Sequence, residues 1–148
     1  MTPEIRECSE RLTAMRREIV PLSAIGHAIG PGAAELRALI ETTGVQILSA
    51  PYARYHSFTK NETDIEVGFE VAAAVELEGV QMSTLSAGRE AVLNHNGAYK
   101  DIPRTFARLE DWVASNAEQR DVPREVYLSN PDEVPMTKRL TEIVYPIV

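Results

Sequence analysis

Glu125 and Tyr127 stand two residues apart in the run Pro123-Arg124-Glu125-Val126-Tyr127-Leu128. The run has the composition of a short strand, where alternate side chains share a face. A carboxylate beside a phenol has two chemical uses. Ionised, it holds an organic cation, and nearby ring faces add cation–π attraction. Protonated, with its pKa raised by desolvation, it serves as a general acid. Tyr55, Tyr99, Phe106, Trp112 and Tyr145 are the aromatic side chains available to join it. Phe106 and Trp112 fit a helical stripe, which points first to core packing. A tyrosine hydroxyl needs a partner when buried, so tyrosines suit the wall of a wet cavity. The pattern leaves two orientations open. With Val126 and Leu128 inward, Glu125 is a solvated residue, the default for a charged side chain. With the strand turned over, Glu125 and Tyr127 point into a cleft.

Other chemistries find less support. His27, His56 and His95 show no i, i+4 pair and no local carboxylate to complete a zinc motif, so no metal site is expected. No serine sits in a Gly-x-Ser-x-Gly elbow, and Cys8 falls in a charged, exposed N-terminal segment. Gly26, Gly30 and Gly32 match neither a P-loop nor a dinucleotide fingerprint. No cofactor is implied.

The elements that must position these residues repeat. Pro51-Tyr52-Ala53-Arg54-Tyr55-His56 and Pro123-Arg124-Glu125-Val126-Tyr127-Leu128 both put Tyr four residues after Pro, at an offset of 123 − 51 = 72. Glu7-Cys8-Ser9 against Thr84-Leu85-Ser86 gives 77, and Glu66–Val71 against Glu142–Ile147 gives 76. Strands are expected over 4–10, 11–20, 53–58, 65–71, 82–86, 89–95, 124–128 and 140–147. The first copy carries a short turn through Ile29, a break at Gly30-Pro31-Gly32 and a helix over 33–43. The falling offset places the extra residues of the first copy around Gly30–Ala33. In the second copy Asp101 is the N-cap, Pro103 stands near the first helical position, and Phe106, Leu109, Trp112 and Val113 share a face. Asn130–Pro135 is too rich in proline for regular structure. The fold is therefore α+β: a duplicated β-β-α-β-β unit, repeats about 4–75 and 80–148, forming one domain over 1–148 in which two main helices cover an antiparallel sheet. Glu125 stands where the first copy has Ala53, which marks it as the functional asymmetry.

Composition narrows the partners. Of 148 residues, 44% are hydrophobic and 25% charged, with a formal charge of −7. That charge without a basic stripe argues against direct nucleic-acid binding. The single cysteine excludes an internal disulfide. No signal peptide is visible, and no run approaches the ~20 apolar residues of a membrane helix. A soluble, cytoplasmic protein is expected.

Four runs in order, Ala53-Arg54-Tyr55-His56, Asp64-Ile65-Glu66-Val67-Gly68-Phe69, His95-Asn96-Gly97-Ala98-Tyr99 and Arg124-Glu125-Val126-Tyr127-Leu128, resemble the GyrI-like family. It includes effector-binding domains of AraC-type and MerR-type multidrug-sensing regulators and stand-alone relatives. The resemblance spans nearly the whole chain. It implies a ligand groove at the pseudo-twofold seam of the duplicated fold, with Glu125 as the contact for cationic aromatic ligands. Tyr127 matches the next inward position, Tyr99 matches the tyrosine of the family's Gly-x-Tyr turn, and Trp112 falls on the helix bordering that groove. Tyr55 and Tyr145 complete the candidate ligand-binding set. Ala98 replaces a proline common in the family's turn. A helix-turn-helix domain finds no room here, so a stand-alone small-molecule binder is expected, in transcription regulation or protection from drugs and toxins. The resemblance implies two alternatives. One is a hydrolase opening electrophilic cyclopropane-type toxins, with Glu125 and Tyr127 as catalytic groups. The other is an inhibitor of gyrase, bound through Asp132-Glu133 or the acids Glu62, Asp64 and Glu66. Protein partners would then be a regulator or gyrase.

Overall fold

Ile65, Val67 and Phe69 alternate with Glu66 and Gly68 along one strand, and all five are buried. A strand this apolar on one side must be covered there, and a helix covers it. The computed structural model describes residues 2–130 and 133–148. The strands are β1 (Glu4–Cys8), β2 (Arg11–Pro21), β3 (Tyr52–Phe58), β4 (Glu62–Glu70), β5 (Gln81–Leu85), β6 (Gly88–Asn96), β7 (Arg124–Tyr127) and β8 (Leu140–Ile147). The long helices are α1 (Ile25–Glu41) and α2 (Ile102–Asn116). Pro131 and Asp132, part of the expected irregular loop, lie outside the described residues. The class is α+β and antiparallel, and the chain divides into two compact units.

The first unit, Glu10–Ser86, has strand order β3-β4-β2-β5 and carries α1. Ala53, Ile65, Val67 and Phe69 share the helix-side face with buried Leu36 and Ile40 of α1. Gly68 is required where it stands. A Cβ there would lie 2.7 Å from the Met15 Cβ and 2.9 Å from the Tyr52 hydroxyl. The opposite face carries a buried polar cluster. Glu66 accepts hydrogen bonds from the Tyr52 hydroxyl and from Arg54 Nη2 at 3.0 Å, and pairs with His56 Nε2 at 2.8 Å. Burial alone would raise the Glu66 carboxyl, but Tyr52, Arg54 and His56 outweigh it and hold it below the usual range. Glu66 and Asp64 are thus no open acidic surface: Glu66 is 1% exposed, and Asp64 is paired with Arg17 at 2.9 Å.

The second unit, Ala87–Val148 with the strand before Ser9, has order β1-β6-β8-β7 and carries α2. Phe106 of α2 meets Tyr145 of β8 edge-on at 5.5 Å, which puts α2 over the face formed by Thr141, Ile143 and Tyr145. Asp101 holds the N-cap position, yet its side chain makes no capping hydrogen bond. On the far face Arg124 holds Glu90 with two contacts at 2.9 Å, and Cys8 donates to Glu90 at 3.4 Å. Cys8 is therefore half-buried and engaged rather than exposed.

The two copies share one register. β1 and β5 begin 81 − 4 = 77 apart, as do α1 and α2 at 102 − 25 = 77. Tyr55 faces Ile65 and Tyr127 faces Thr141, which reproduces the offsets of 72 and 76. Two expectations change. α1 runs unbroken through Pro31. A proline inside a helix costs about 3 kcal/mol through its lost hydrogen bond and ring clash, while burying Leu36 and Ile40 alone returns about 3–6 kcal/mol. The extra residues of the first copy also lie elsewhere. Buried Leu36 and Val113 are still 77 apart, so the change to 72 falls after Leu36, in the end of α1 and its link to β3. Each unit, moreover, takes its edge strand from the other copy: β1 pairs with β6, and β5 with β2.

Candidate functional site

β7 is short because Pro123 precedes it and its ladder with β8 ends at Tyr127. Within it Glu125 and Tyr127 face the helix side and are 8% and 7% exposed, whereas Leu128 is 44% exposed. The solvated orientation is thereby overturned. Register explains the environment of the carboxylate. Glu125 lies across from Ile143, and Ile143 across from Leu93, an apolar row. The next row is polar: Tyr127, Thr141 and His95.

The Tyr127 hydroxyl donates to Glu125 Oε1 at 2.7 Å. Its ring meets Tyr99 at 5.8 Å between centroids, tilted by 63°. The Arg139 guanidinium lies over the outer part of this pair, 4.9 Å from the Tyr99 centroid. His95 Nδ1 sits 2.7 Å from the Thr105 hydroxyl and Nε2 2.9 Å from the Ala98 carbonyl. The carbonyl can only accept, so Nε2 carries a hydrogen and donates to it, while Nδ1 shares a hydrogen bond with the Thr105 hydroxyl. The fully buried Thr141 hydroxyl has no hydrogen-bond partner among the described residues.

Burial raises the Glu125 carboxyl above its usual range, opposed by the Tyr127 hydrogen bond and the charge of His95. Burial likewise raises Tyr99, opposed by Arg139. No cation pairs with Glu125 among the described residues. Such a group can take up an organic cation or move a proton. No cluster of His, Cys, Asp and Glu suited to a metal ion occurs among the described residues.

Of the six expected ligand-binding residues, Glu125, Tyr127 and Tyr99 come together. Tyr145 packs on Phe106, 4% exposed, its phenol raised by burial and the nearby Glu110 carboxylate. Trp112 lies half-buried on α2, and no described contact joins it to the cluster. Tyr55 belongs to the first unit, where its ring lies 5.0 Å from Phe58. His95 and Arg139 complete the cluster unforeseen. Pairing of β6 with β8 would have revealed His95, but nothing in the sequence signals Arg139.

A family model described as GyrI-like small molecule binding domain matches residues 1–148. A search of curated proteins finds no match. Solved structures share the fold. The C-terminal domain of EcmrR has TM-score 0.84 at 20% identity, covering 98% of this chain and 96% of that one. In the cryo-EM structure of the EcmrR–DNA complex the values are 0.84 and 21%, and this chain, covered over 97%, spans only 56% of that one. SAV2435, solved bound to tetraphenylphosphonium, has TM-score 0.74 at 12% identity, covering 100% and 94% of the two chains. A structure named as a hydrolase from Listeria innocua has TM-score 0.67 at 11% identity, covering 99% and 92%.

Proposed function

The chain belongs to the GyrI-like small molecule binding domain family, and on that premise we propose that it acts as one ligand-capturing domain over residues 1–148. Its ligands are amphipathic small molecules, cationic aromatic ones among them, and its role is in transcription regulation or protection from drugs and toxins. The observation that carries this reading is the Glu125 carboxylate, 8% exposed and held by a tyrosine rather than by a cation. Ionising a carboxylate that is buried, held by one tyrosine and near only His95 is costly, and a cationic ligand offsets that cost. Tyr127 and Tyr99 offer ring surface to the same ligand. Tetraphenylphosphonium, the ligand of SAV2435, is a lipophilic cation of this class. The likeness to the EcmrR domain supports an effector-sensing role.

Isothermal titration with tetraphenylphosphonium tests it. Glu125→Gln is expected to weaken binding by about 2 kcal/mol, roughly thirtyfold. Unchanged affinity would remove the electrostatic role assigned to Glu125.

A second reading rests on the raised Glu125 carboxyl, which retains a proton closer to neutrality and so makes a better base when ionised. In it Glu125 takes a proton from water as the water oxygen bonds to a ring carbon. The strained carbon–carbon bond breaks, and its electrons pass into the substrate's conjugated carbonyl to give an enolate oxyanion. Tyr127, its hydroxyl released once Glu125 is protonated, donates to that oxygen, and Glu125 then returns its proton to the ring-opened product. The hydrolase named among the neighbours keeps this reading open. A cyclopropane-bearing electrophile that gains the mass of one water only with active protein would establish it, and an unchanged mass would end it.

A further inference from the structure

Leu109 of α2 is fully buried. Its counterpart at the helix offset, 109 − 77 = 32, is Gly32 of α1. Beneath α1 the first unit keeps a cavity of about 230 Å³ lined by Gly32, Leu36, Ile65 and Val67, with glycine at the position that buried Leu109 takes in α2. Gly32 is held small by its own helix: a Cβ there would stand 3.3 Å from the His27 carbonyl oxygen. That carbonyl lacks its usual helical donor because residue 31 is proline. Gly30-Pro31-Gly32, which reads as a helix breaker, instead thins an intact helix over a pocket.

The floor of this cavity is apolar and its rim charged, the division expected of a small-molecule site. On the rim, which also carries His27, Arg16 is paired with Glu35 at 3.3 Å, and that leaves Glu18 as the surplus carboxylate. The second unit's cavity, about 320 Å³, is lined by Asn94, His95, Asn96, Asp101, Arg104 and Arg108 among others, so it is polar and sets two arginines against one carboxylate. The two cavities therefore do not share a ligand, and the acidic rim belongs to the first unit alone.

We propose that the first unit carries a second, separate binding site for a compact organic cation. Its apolar body lies on Ile65 and Val67 beneath α1, and its ammonium group faces Glu18 and the Arg16–Glu35 pair. This site does not depend on the Glu125 reading, since its residues all belong to the other unit.

NMR of methyl-labelled protein titrated with benzyltrimethylammonium reads it directly. The expected result is saturable shifts of the Leu36, Ile65 and Val67 methyls, in wild type and in Glu125→Gln alike. Gly32→Leu should abolish them by placing a side chain in the cavity. Should that variant fail to fold, Glu18→Gln with Glu35→Gln alters only exposed side chains and should weaken binding roughly two- to tenfold. The neutral isostere neopentylbenzene should bind with the same loss. Unmoved methyls, shifts that vanish in Glu125→Gln, or equal binding of the neutral compound would each overturn the site.

Discussion

Glu125 and Glu66 are both buried carboxylates, and their surroundings act on them in opposite directions. Burial dominates at Glu125 and favours its neutral form. With its folded-state pKa raised, its stabilising contribution is complete below the unfolded value near 4.5 and is lost as pH rises through the folded one. Glu125→Gln has no such dependence. Its Tm should therefore exceed that of the wild type at pH 7.5, and the gap should close as pH falls toward 4.5. Calorimetry at the two pH values decides, since a glutamine variant less stable at pH 7.5 would mean that the ionised carboxylate is well held. At Glu66 burial is outweighed by Tyr52, Arg54 and His56, so its contribution is present above 4.5 and lost on acidification through the folded value. Arg54→Met leaves that charge buried with its main cation gone, and urea unfolding should show a loss of about 3–5 kcal/mol. A loss below about 1 kcal/mol, the level of an exposed pair, would show that the cluster is solvated.

Single elements were legible to different degrees. Strand alternation in 124–128 fixed which residues share a face but not which face is covered, because Val126 and Glu125 are equally placed until a helix lies on one of them. That helix is α2, brought in by Phe106 against Tyr145. The Gly30-Pro31-Gly32 run misled for a related reason: local propensity describes an isolated helix, whereas α1 is held by the burial of Ala28, Ala33, Leu36 and Ile40 on both sides of the proline. His95 was hidden by distance along the chain, since only the ladders of β6, β8 and β7 bring it into the row of Tyr127. Arg139 precedes β8 after a long loop with no counterpart in the first copy, so the duplication gave no template for it. The helix account has its own test. Pro31→Ala restores a donor to the exposed side of α1 and should stabilise the protein by about 1–3 kcal/mol. A lower Tm would show that the backbone around Pro31 is shaped for the proline.

At the scale of the whole chain, the copies in the sequence and the units in the structure are different partitions. A copy has four strands and contributes three to one unit, its first strand being laddered into the other: β1 with β6 from Glu4↔Val92 to Cys8↔Gly88, β5 with β2 from Arg11↔Leu85 to Met15↔Gln81. Backbone hydrogen bonds follow ladders rather than sequence neighbours, so the opening of β1 should be governed by the second unit although β2 follows it directly in the chain. Native-state hydrogen exchange separates the two cases. Leu109→Ala removes a fully buried side chain from the second unit, at about 2–5 kcal/mol. The amides of Glu4–Cys8 should lose protection together with those of β6 and β8, while those of Gln81–Leu85 keep theirs. Leu36→Ala, also fully buried, should do the reverse and expose β5 with β2 and β4. Equal loss in β1 and β5 from either substitution would mean that the chain opens as one body and that the exchange of edge strands has joined the copies into a single cooperative unit. Unequal loss would mean that each helix secures a strand lent by the other copy, which is the arrangement the ladders describe.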